Sequence, residues 1–356
     1  MKFCCALVLV GLIARAEDIT PRVGSIEIYG ARKVSIQKIK IALGARPGDL
    51  LPAREDAEDR IDQLSGVLAA RVEAACCEAH GSTTLYVGVQ ERGSPHVEYH
   101  ASPTGEVTLP AALADKYRAL LNTVSDSIRG RNNDEDLTNG YSLMADADCR
   151  EIQQSLIPLV EQNLNLIDRV VRESADPDQR AAAAYLLQYA PRSPRTSKTM
   201  VNALQWALRD QDDNVRDSAM RALKAVSIGA KLHPDQQIRI EPTWYVELLN
   251  SVVWSDRRNA ARELVELTQD HNPDTLALIR ERALPSVLEM ARWHDLNHAL
   301  PAFILAGRVA GLDEKQIQDA WLSENRENVL KALNPNSKHS GVSILHHTAA
   351  KASAPY

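Results

Sequence analysis

The sequence is poor in aromatic residues and lacks an excess of positive charge. Aromatic side chains make up only 4% of its 356 residues, with two phenylalanines, whereas hydrophobic residues make up 44%. The apolar content is therefore mostly aliphatic and small, as in closely packed helices. The formal net charge of −6 argues against a protein whose main task is to neutralise nucleic-acid phosphates. We therefore expect a globular protein that does not bind nucleic acid.

Motifs that mark common catalytic sites are also missing. The sequence contains no G-x-S-x-G, no G-x-G-x-x-G after a strand and no G-x4-G-K-[ST]. No C-x2-C pair is present, so a cysteine-bound metal has no support. His294 and His298 lie one helical turn apart, but the glutamate that a zinc protease needs after the first histidine is absent. We predict a protein that is not an enzyme and has no cofactor or metal.

The first sixteen residues have the pattern of a secretory signal peptide. Lys2 supplies a positive charge, Ala6 to Ile13 is an unbroken apolar run, and Ala14-Arg15-Ala16 offers a cleavage site. The run is shorter than the roughly 20 apolar residues of a membrane-spanning helix. We expect residues 1–16 to be removed, which leaves an exported protein, periplasmic or secreted, that is not integral to the membrane.

After export, the cysteines that follow residues 1–16 can be either disulfide-bonded or free. An oxidising compartment allows thiols to pair, and adjacent cysteines rarely bridge each other because of disulfide geometry. The candidate disulfide therefore joins Cys149 to Cys76 or Cys77. The alternative is three semi-buried thiols that act as small hydrophobic side chains.

Residues 22–92 are predicted to form a small α+β module with the element order β-α-α-β-β. Apolar and polar residues alternate around Ile26 and Ile28, as in a half-buried strand. Two short helices follow. The segments Arg71 to Cys77 and Thr83 to Glu91 are separated by turn residues, so we expect them to pair as an antiparallel hairpin.

Several positions of this module match the pattern of a known family. They are Ile26, Ile28, Gly30, Lys33, Ile39, Leu43, Gly48, Asp49 and the closing strand from Leu85 to Glu91. With these residues the module resembles a POTRA (polypeptide-transport-associated) domain, in a single copy and with Ala31 where asparagine commonly follows the glycine. The resemblance implies a peptide-docking surface in the cell envelope, where an extended partner adds to an exposed strand edge. The alternative is a cap on the segment that follows.

Residues 93–146 are predicted to be a linker with one helix, from about Leu109 to Arg129. His96 and His100 lie in the Gly-, Ser- and Pro-containing part of this linker and are interpreted as solvated polar residues.

From about residue 147 the sequence repeats itself. Three segments begin with arginine, have alanine three residues later and leucine seven residues later, and a degenerate fourth copy begins at Leu296. An acidic or polar turn precedes each arginine. The repeat positions are Arg180, Ala183 and Leu187, then Asp212, Arg216, Ala219 and Leu223, then Arg257, Ala260 and Leu264.

A repeated two-helix unit explains this pattern. The alanine lets neighbouring helices approach closely, the leucine fills the seam, and the arginine reaches back toward the acidic turn. With a period near 40 and the motif D-x-x-V-R at Asp212 to Arg216, residues 147–333 resemble HEAT repeats. The resemblance implies an α-solenoid with a binding surface, usually for another protein. Residues 334–356 are predicted to be a disordered tail.

Five tryptophans are spaced along the repeat region, and helical spacing favours a place in the core between helices. They are Trp206, Trp244, Trp254, Trp293 and Trp321.

The fold class predicted from the sequence is thus mostly α, a HEAT-like α-solenoid preceded by a small α+β module. The function expected first is a non-catalytic exported scaffold that binds one or more protein partners, and an envelope protein is one candidate. Two alternatives stay open: an accessory factor or enzyme-like HEAT-repeat protein of the bilin-lyase type, and a component of envelope or outer-membrane protein assembly.

The repeat interpretation makes a prediction for stability. If Ala219 and Ala260 lie in helix seams, Ala219→Leu or Ala260→Leu should lower the free energy of unfolding by about 1–3 kcal/mol through overpacking. Thermal unfolding measures this, with Ala350→Leu in the predicted tail as the control. Melting temperatures equal to that of the control would refute the placement.

Overall fold

The computed structural model describes residues 21–76, 83–130, 132, 134–323 and 326–333. In this part of the chain the fold is mostly helical, with a small mixed sheet of three strands near the N-terminus, so the mostly α prediction is confirmed at this level. The predicted leader at 1–16, the predicted tail at 334–356 and Cys77 lie outside the described residues.

Strands are concentrated before residue 92, and helices fill most of the chain after residue 110. The strands are β1 (Val23–Tyr29), β2 (Val67–Cys76), β3 (Thr83–Glu91), β4 (Glu135–Asp136) and β5 (Leu143–Met144). The helices are α1 (Ile36–Leu43), α2 (Arg54–Asp62), α3 (Ala111–Arg129), α4 (Ala147–Glu173), α5 (Pro177–Leu186), α6 (Pro194–Ala207), α7 (Asp213–Leu232), α8 (Thr243–Leu248), α9 (Trp254–Leu267), α10 (Pro273–Arg282), α11 (Leu284–Met290), α12 (Leu296–Val309), α13 (Glu314–Leu322) and α14 (Arg326–Leu333).

The three-stranded sheet of the N-terminal module has β3 at its centre. Strand β1 pairs with β3 in parallel and β2 pairs with β3 antiparallel, which confirms the predicted hairpin, although β2 begins at Val67 and not at Arg71. Helices α1 and α2 cover one face of the sheet and bury Ile39 and Ile61 against it. Strand β3 is consequently buried along almost its whole length.

The other face of this sheet packs onto the helical part of the chain. Tyr29 Oη donates a hydrogen bond of 2.8 Å to the carbonyl oxygen of Val252. The Tyr86 ring stacks on Trp254 with 4.5 Å between ring centroids. A Cβ at Gly88 would lie 1.9 Å from the Val252 carbonyl oxygen, so this approach needs glycine. The module is therefore joined to the helices through its sheet.

The helices that contain the sequence repeat contact one another in chain order. Helix α5 packs on α7, α7 on α9, and α9 on α12, while α6, α8 and α11 each pack on the repeat helix that follows them. The small and large apolar repeat positions are fully buried: Ala183, Leu187, Ala219, Leu223, Ala260 and Leu264, with Ala299 and Phe303 of α12. This burial matches what closely packed helices require of alanine and leucine.

A buried arginine links each repeat helix to the segments before and after it. Arg180 Nη1 donates to the carbonyl oxygens of Ser174 at 2.9 Å and Ala175 at 3.2 Å, six and five residues earlier. Its Nε and Nη2 pair with the carboxylate of Asp210 at 2.7 and 2.8 Å. Asp210 lies in the turn that precedes the next repeat helix, so the side chain bridges two units.

Arg216 repeats this arrangement at the same offsets. It donates to the carbonyl oxygens of Asp210 and Gln211 at 2.8 and 2.9 Å, and it pairs with Asp256 at 2.8 Å. Both side chains of this ion pair are 1% exposed. Burial is the largest single effect and would lower the pKa of Arg216, but the charge of Asp256, the hydrogen bond with it and the nearby Tyr99 and Asp213 together outweigh burial and raise the pKa.

Arg257 completes the series, which we call the arginine ladder (Arg180, Arg216 and Arg257). It donates to the Ser251 carbonyl oxygen at 2.5 Å and pairs with Glu289 at 3.1 Å. The sequence predicts that each arginine contacts a preceding acidic turn. In the structure that turn supplies carbonyl oxygens, and the carboxylate comes from the following unit.

The expected bridge from Cys149 to Cys76 or Cys77 is not formed in the structure. Cys149 is a free thiol, fully buried in the core of the helical part. It belongs to the first turn of α4, where Asp146 accepts a hydrogen bond of 3.0 Å from its backbone amide. Cys76 is disulfide-bonded and ends β2, within the N-terminal module. Burial, and next the hydrogen bond with Asp146, raises the pKa of Cys149 to about 11.

The carboxylate of Glu91, at the end of β3, fixes the loop that follows β1. It accepts hydrogen bonds of 2.8, 2.9 and 2.8 Å from the backbone amides of Arg32, Lys33 and Val34. Burial opposes ionisation of Glu91, but these three donors outweigh burial, and the pKa of Glu91 lies below its ordinary value.

Breaking the ladder at Arg216 should destabilise the protein strongly. Arg216→Met leaves the buried charge of Asp256 without its partner, so we expect a loss of about 3–5 kcal/mol in the free energy of unfolding, measured with urea. Adding Asp256→Asn to the Arg216→Met variant should recover part of this loss, because it removes the unpaired charge of the Asp256 carboxylate. The control is Arg221→Met on the same helix, whose ion pair with Asp217 is 63% and 38% exposed, with an expected loss below about 1 kcal/mol. Equal losses for the two arginines would contradict the role of the ladder.

The Glu91 contacts should make stability depend on pH. Because the pKa of Glu91 is lowered on folding, its contribution is present above the unfolded pKa, near 4.3, and is lost as the pH falls through the folded pKa. Glu91→Gln should therefore cost about 1–3 kcal/mol near neutral pH, and the difference from the unmodified chain should shrink in acid. Urea unfolding at both pH values measures this, with Glu161→Gln on exposed α4 surface as the control. If the difference in unfolding free energy between Glu91→Gln and the unmodified chain does not change with pH, the ionised Glu91 carboxylate does not have this role.

Candidate functional site

A groove of about 840 Å³ lies along the helical part of the molecule. Side chains from α3, α5, α7, α9 and the β4–β5 hairpin line it. Helix α3 packs on α4 and α5, and α7 packs on α5 and α9. Helix α5 thus separates α3 from α7 and contributes Tyr185 to the lining.

The α3 side of the groove is apolar. Tyr117, Leu121, Val124 and Ile128 recur at i, i+4, i+7 and i+11, so they share one face of the helix. Leu121 is 49% exposed and Ile128 is 55% exposed. Large aliphatic side chains left open in a row along a concave surface are typical of a site that another molecule covers.

The opposite side of the groove is basic. Arg221 and Lys224 come from α7, and Arg258 and Arg262 come from α9. Arg221 pairs with Asp217 at 3.0 Å. Lys224 and Arg262 form no hydrogen bond or ion pair with a described residue, although the charge of Lys224 acts on Glu263.

Arg258 is the most constrained of these cations. Its guanidinium lies over the Trp254 ring at 4.8 Å and donates to the neutral Asn259 Oδ1 at 3.1 Å. Burial, followed by the nearby charge of Arg262, lowers the pKa of Arg258 below its ordinary value. A partly buried guanidinium without a bonded carboxylate favours an anionic ligand at this place.

The carboxylates of the groove do not neutralise these cations fully. Asp217 accepts from both Arg221 and Asn259, and Glu266 pairs with Lys231 at 2.7 Å. Burial raises the pKa of Glu263, which is 7% exposed. Glu135, on the β4–β5 hairpin, is exposed. The groove lining thus has five cations (Arg221, Lys224, Lys231, Arg258 and Arg262) against four carboxylates (Glu135, Asp217, Glu263 and Glu266), which leaves a small excess of positive charge.

The predicted histidine pair lies at the contact between the module and the helices. His298 Nδ1 is 2.6 Å from Tyr86 Oη, and its ring is 5.0 Å from that of Trp254. The backbone amide of His294 donates to Glu27 at 2.6 Å. Among the described residues, no group of three or more His, Cys, Asp or Glu side chains is placed to hold a metal ion.

The tryptophans occupy several environments. Trp254 and Trp293 are buried, and both contact Tyr86 of the module as well as helices. Trp206 is 39% exposed and stacks on His100 with 3.6 Å between centroids. His100 is therefore half-buried and not simply solvated as predicted, because its ring stacks on Trp206 and its backbone amide donates to the Arg209 carbonyl oxygen at 2.8 Å.

The outer edge of β2, one of the two edge strands of the sheet, is closed in its middle. Glu58 accepts a hydrogen bond of 2.8 Å from the Val72 amide, and Asp62 accepts one from the Ala70 amide. Arg71 Nη1 donates to the Ala70 carbonyl oxygen at 2.7 Å. An added strand would have to displace these side chains.

Sequence reasoning missed the groove, although two signals were available. The apolar stripe from Tyr117 to Ile128 is readable in a helix that we assigned to a linker. Arg258 and Arg262 form a like-charge i, i+4 pair, which is unfavourable without an anion nearby. Neither signal shows that α3 faces α7 and α9.

No protein-family model matches this chain, and no curated protein matches it significantly. None of the described helices combines the length and the apolar character that crossing a bilayer requires. The groove and its side chains are consequently the basis for inferring a function.

Proposed function

We propose that this protein is a non-catalytic scaffold that binds another protein through the groove between α3 and helices α7 and α9. The observation that supports this most directly is the exposed apolar stripe of α3 along a concave, partly charged surface. Covering Leu121 and Ile128 would remove apolar surface from water, which is the main driving force of protein association.

The architecture we propose for this scaffold is a HEAT-type α-solenoid capped by a POTRA-like module. The serial contacts of α5, α7, α9 and α12 support it, as do the equal offsets of the ladder hydrogen bonds. The leader pattern of residues 1–16 supports export, so the partner would be a periplasmic or secreted protein.

A role in envelope protein assembly, with strand addition to β2, has weaker support. Glu58 and Asp62 already occupy the amides of Val72 and Ala70. The opposite face of the sheet is covered by helices through Tyr29 and Tyr86. A partner that binds in the groove does not have to displace Glu58 and Asp62.

Site-specific photocrosslinking in the producing cell tests the proposal. A photoreactive phenylalanine analogue replaces Leu121 or Ile128 in the groove, or Leu322, which is 75% exposed on α13, as the control. We expect one and the same protein to be captured from both groove positions and not from Leu322. Capture from Ile128 should fall when Leu121→Gln is added, because the apolar stripe is interrupted.

Two results would contradict the groove as a binding site. One is equal capture from the groove positions and from Leu322. The other is capture from Ile128 that is unchanged by Leu121→Gln.

A further inference from the structure

We infer that the segment bound in this groove is an acidic amphipathic helix of the partner protein. Its apolar side packs on the stripe of α3, and its carboxylates pair with the cations of α7 and α9. This inference rests on the proposed function, since it names the chemistry of the partner at that same groove.

The charge of the occupant follows from the basic side. The groove has one more cation than carboxylates, Lys224 and Arg262 form no ion pair with a described residue, and Arg258 donates only to a neutral amide oxygen. Guanidinium groups pair with carboxylates in a forked geometry that adds direction as well as attraction. A carboxylate placed between Arg258 and Arg262 would relieve the repulsion between them.

The helical form follows from the apolar side. The i, i+4, i+7, i+11 spacing of Tyr117, Leu121, Val124 and Ile128 creates the kind of ridge on which a second helix packs. A helix is about 10 Å across and rises about 1.5 Å per residue, so a groove of about 840 Å³ holds roughly two turns.

Two other occupants fit less well. The segment 334–356 of this chain contains Lys338 and Lys351 but no aspartate or glutamate, so its charge has the same sign as the basic side. A nucleic acid would offer phosphates to the cations but no apolar side chains to Leu121 and Ile128.

Designed peptides test the chemistry of the occupant. Three fluorescent peptides of about 18 residues, long enough to form helix, share leucines at i, i+4, i+7 and i+11 and have Glu, Gln or Lys at the flanking positions. Fluorescence anisotropy with the full-length protein measures each dissociation constant at low and high salt. We expect the Glu peptide to bind about tenfold more tightly than the Gln peptide, with the Lys peptide weakest, and the difference to shrink at high salt.

A charge reversal in the groove localises the effect. Arg262 is exposed, so Arg262→Glu should fold normally, weaken the Glu peptide about tenfold and strengthen the Lys peptide. The matched control is Arg195→Glu, an exposed arginine of α6 outside the groove, which should leave all three dissociation constants unchanged.

The outcomes separate this inference from the proposed function. One outcome is that the three peptides bind equally, that Leu121→Gln abolishes their binding and that Arg262→Glu does not affect it. This outcome would overturn the acidic occupant but would leave the groove as the binding site. A Glu peptide with a central proline that binds as well as its parent would overturn the helical form. Peptide binding that is unaffected by Leu121→Gln, together with no groove-specific crosslink, would overturn both proposals.

Discussion

The arginine ladder is the interaction on which the rest of the structure depends. A buried ion pair is costly unless each charge is fully hydrogen-bonded, because both groups lose their water. Arg180 and Arg216 meet this condition with two carbonyl oxygens from the preceding turn and a carboxylate from the next unit. Each arginine therefore sets the position of one repeat helix relative to its neighbours on both sides, so the register of the helical array is fixed by charge as well as by packing.

The same residues place the N-terminal module. Glu289, the partner of Arg257, also accepts a hydrogen bond of 2.9 Å from the Gly30 amide. The guanidinium of Arg257 lies over the Tyr29 ring at 4.5 Å, and that of Arg216 over the Tyr99 ring at 4.6 Å. The module and the linker thus cover one side of the ladder with aromatic rings. This contact uses the sheet face of the module and leaves the apolar stripe of α3 uncovered.

The periodicity of the sequence predicted those structural features that depend on residues close together in the chain. The alternating strand at Ile26, the β2–β3 hairpin and the buried alanines such as Ala219 follow from periods of two and about 3.6 residues. Local periodicity does not tell which distant segments meet. Three features depend on tertiary placement: Asp256 and not the preceding turn neutralises Arg216, Cys149 is a buried free thiol, and α3 faces α7 across the groove.

The arginines on the two faces of helices α7 and α9 differ in their partners. On the buried face, Arg216 and Arg257 each have a carboxylate partner. On the groove face, Arg258 is partly buried yet bonded only to Asn259, and Arg262 one turn later adds a repelling charge. Keeping a desolvated guanidinium without a carboxylate costs stability in the free protein. A bound carboxylate would offset that cost, so the imbalance between the two faces is itself a reason to expect an acidic ligand in the groove.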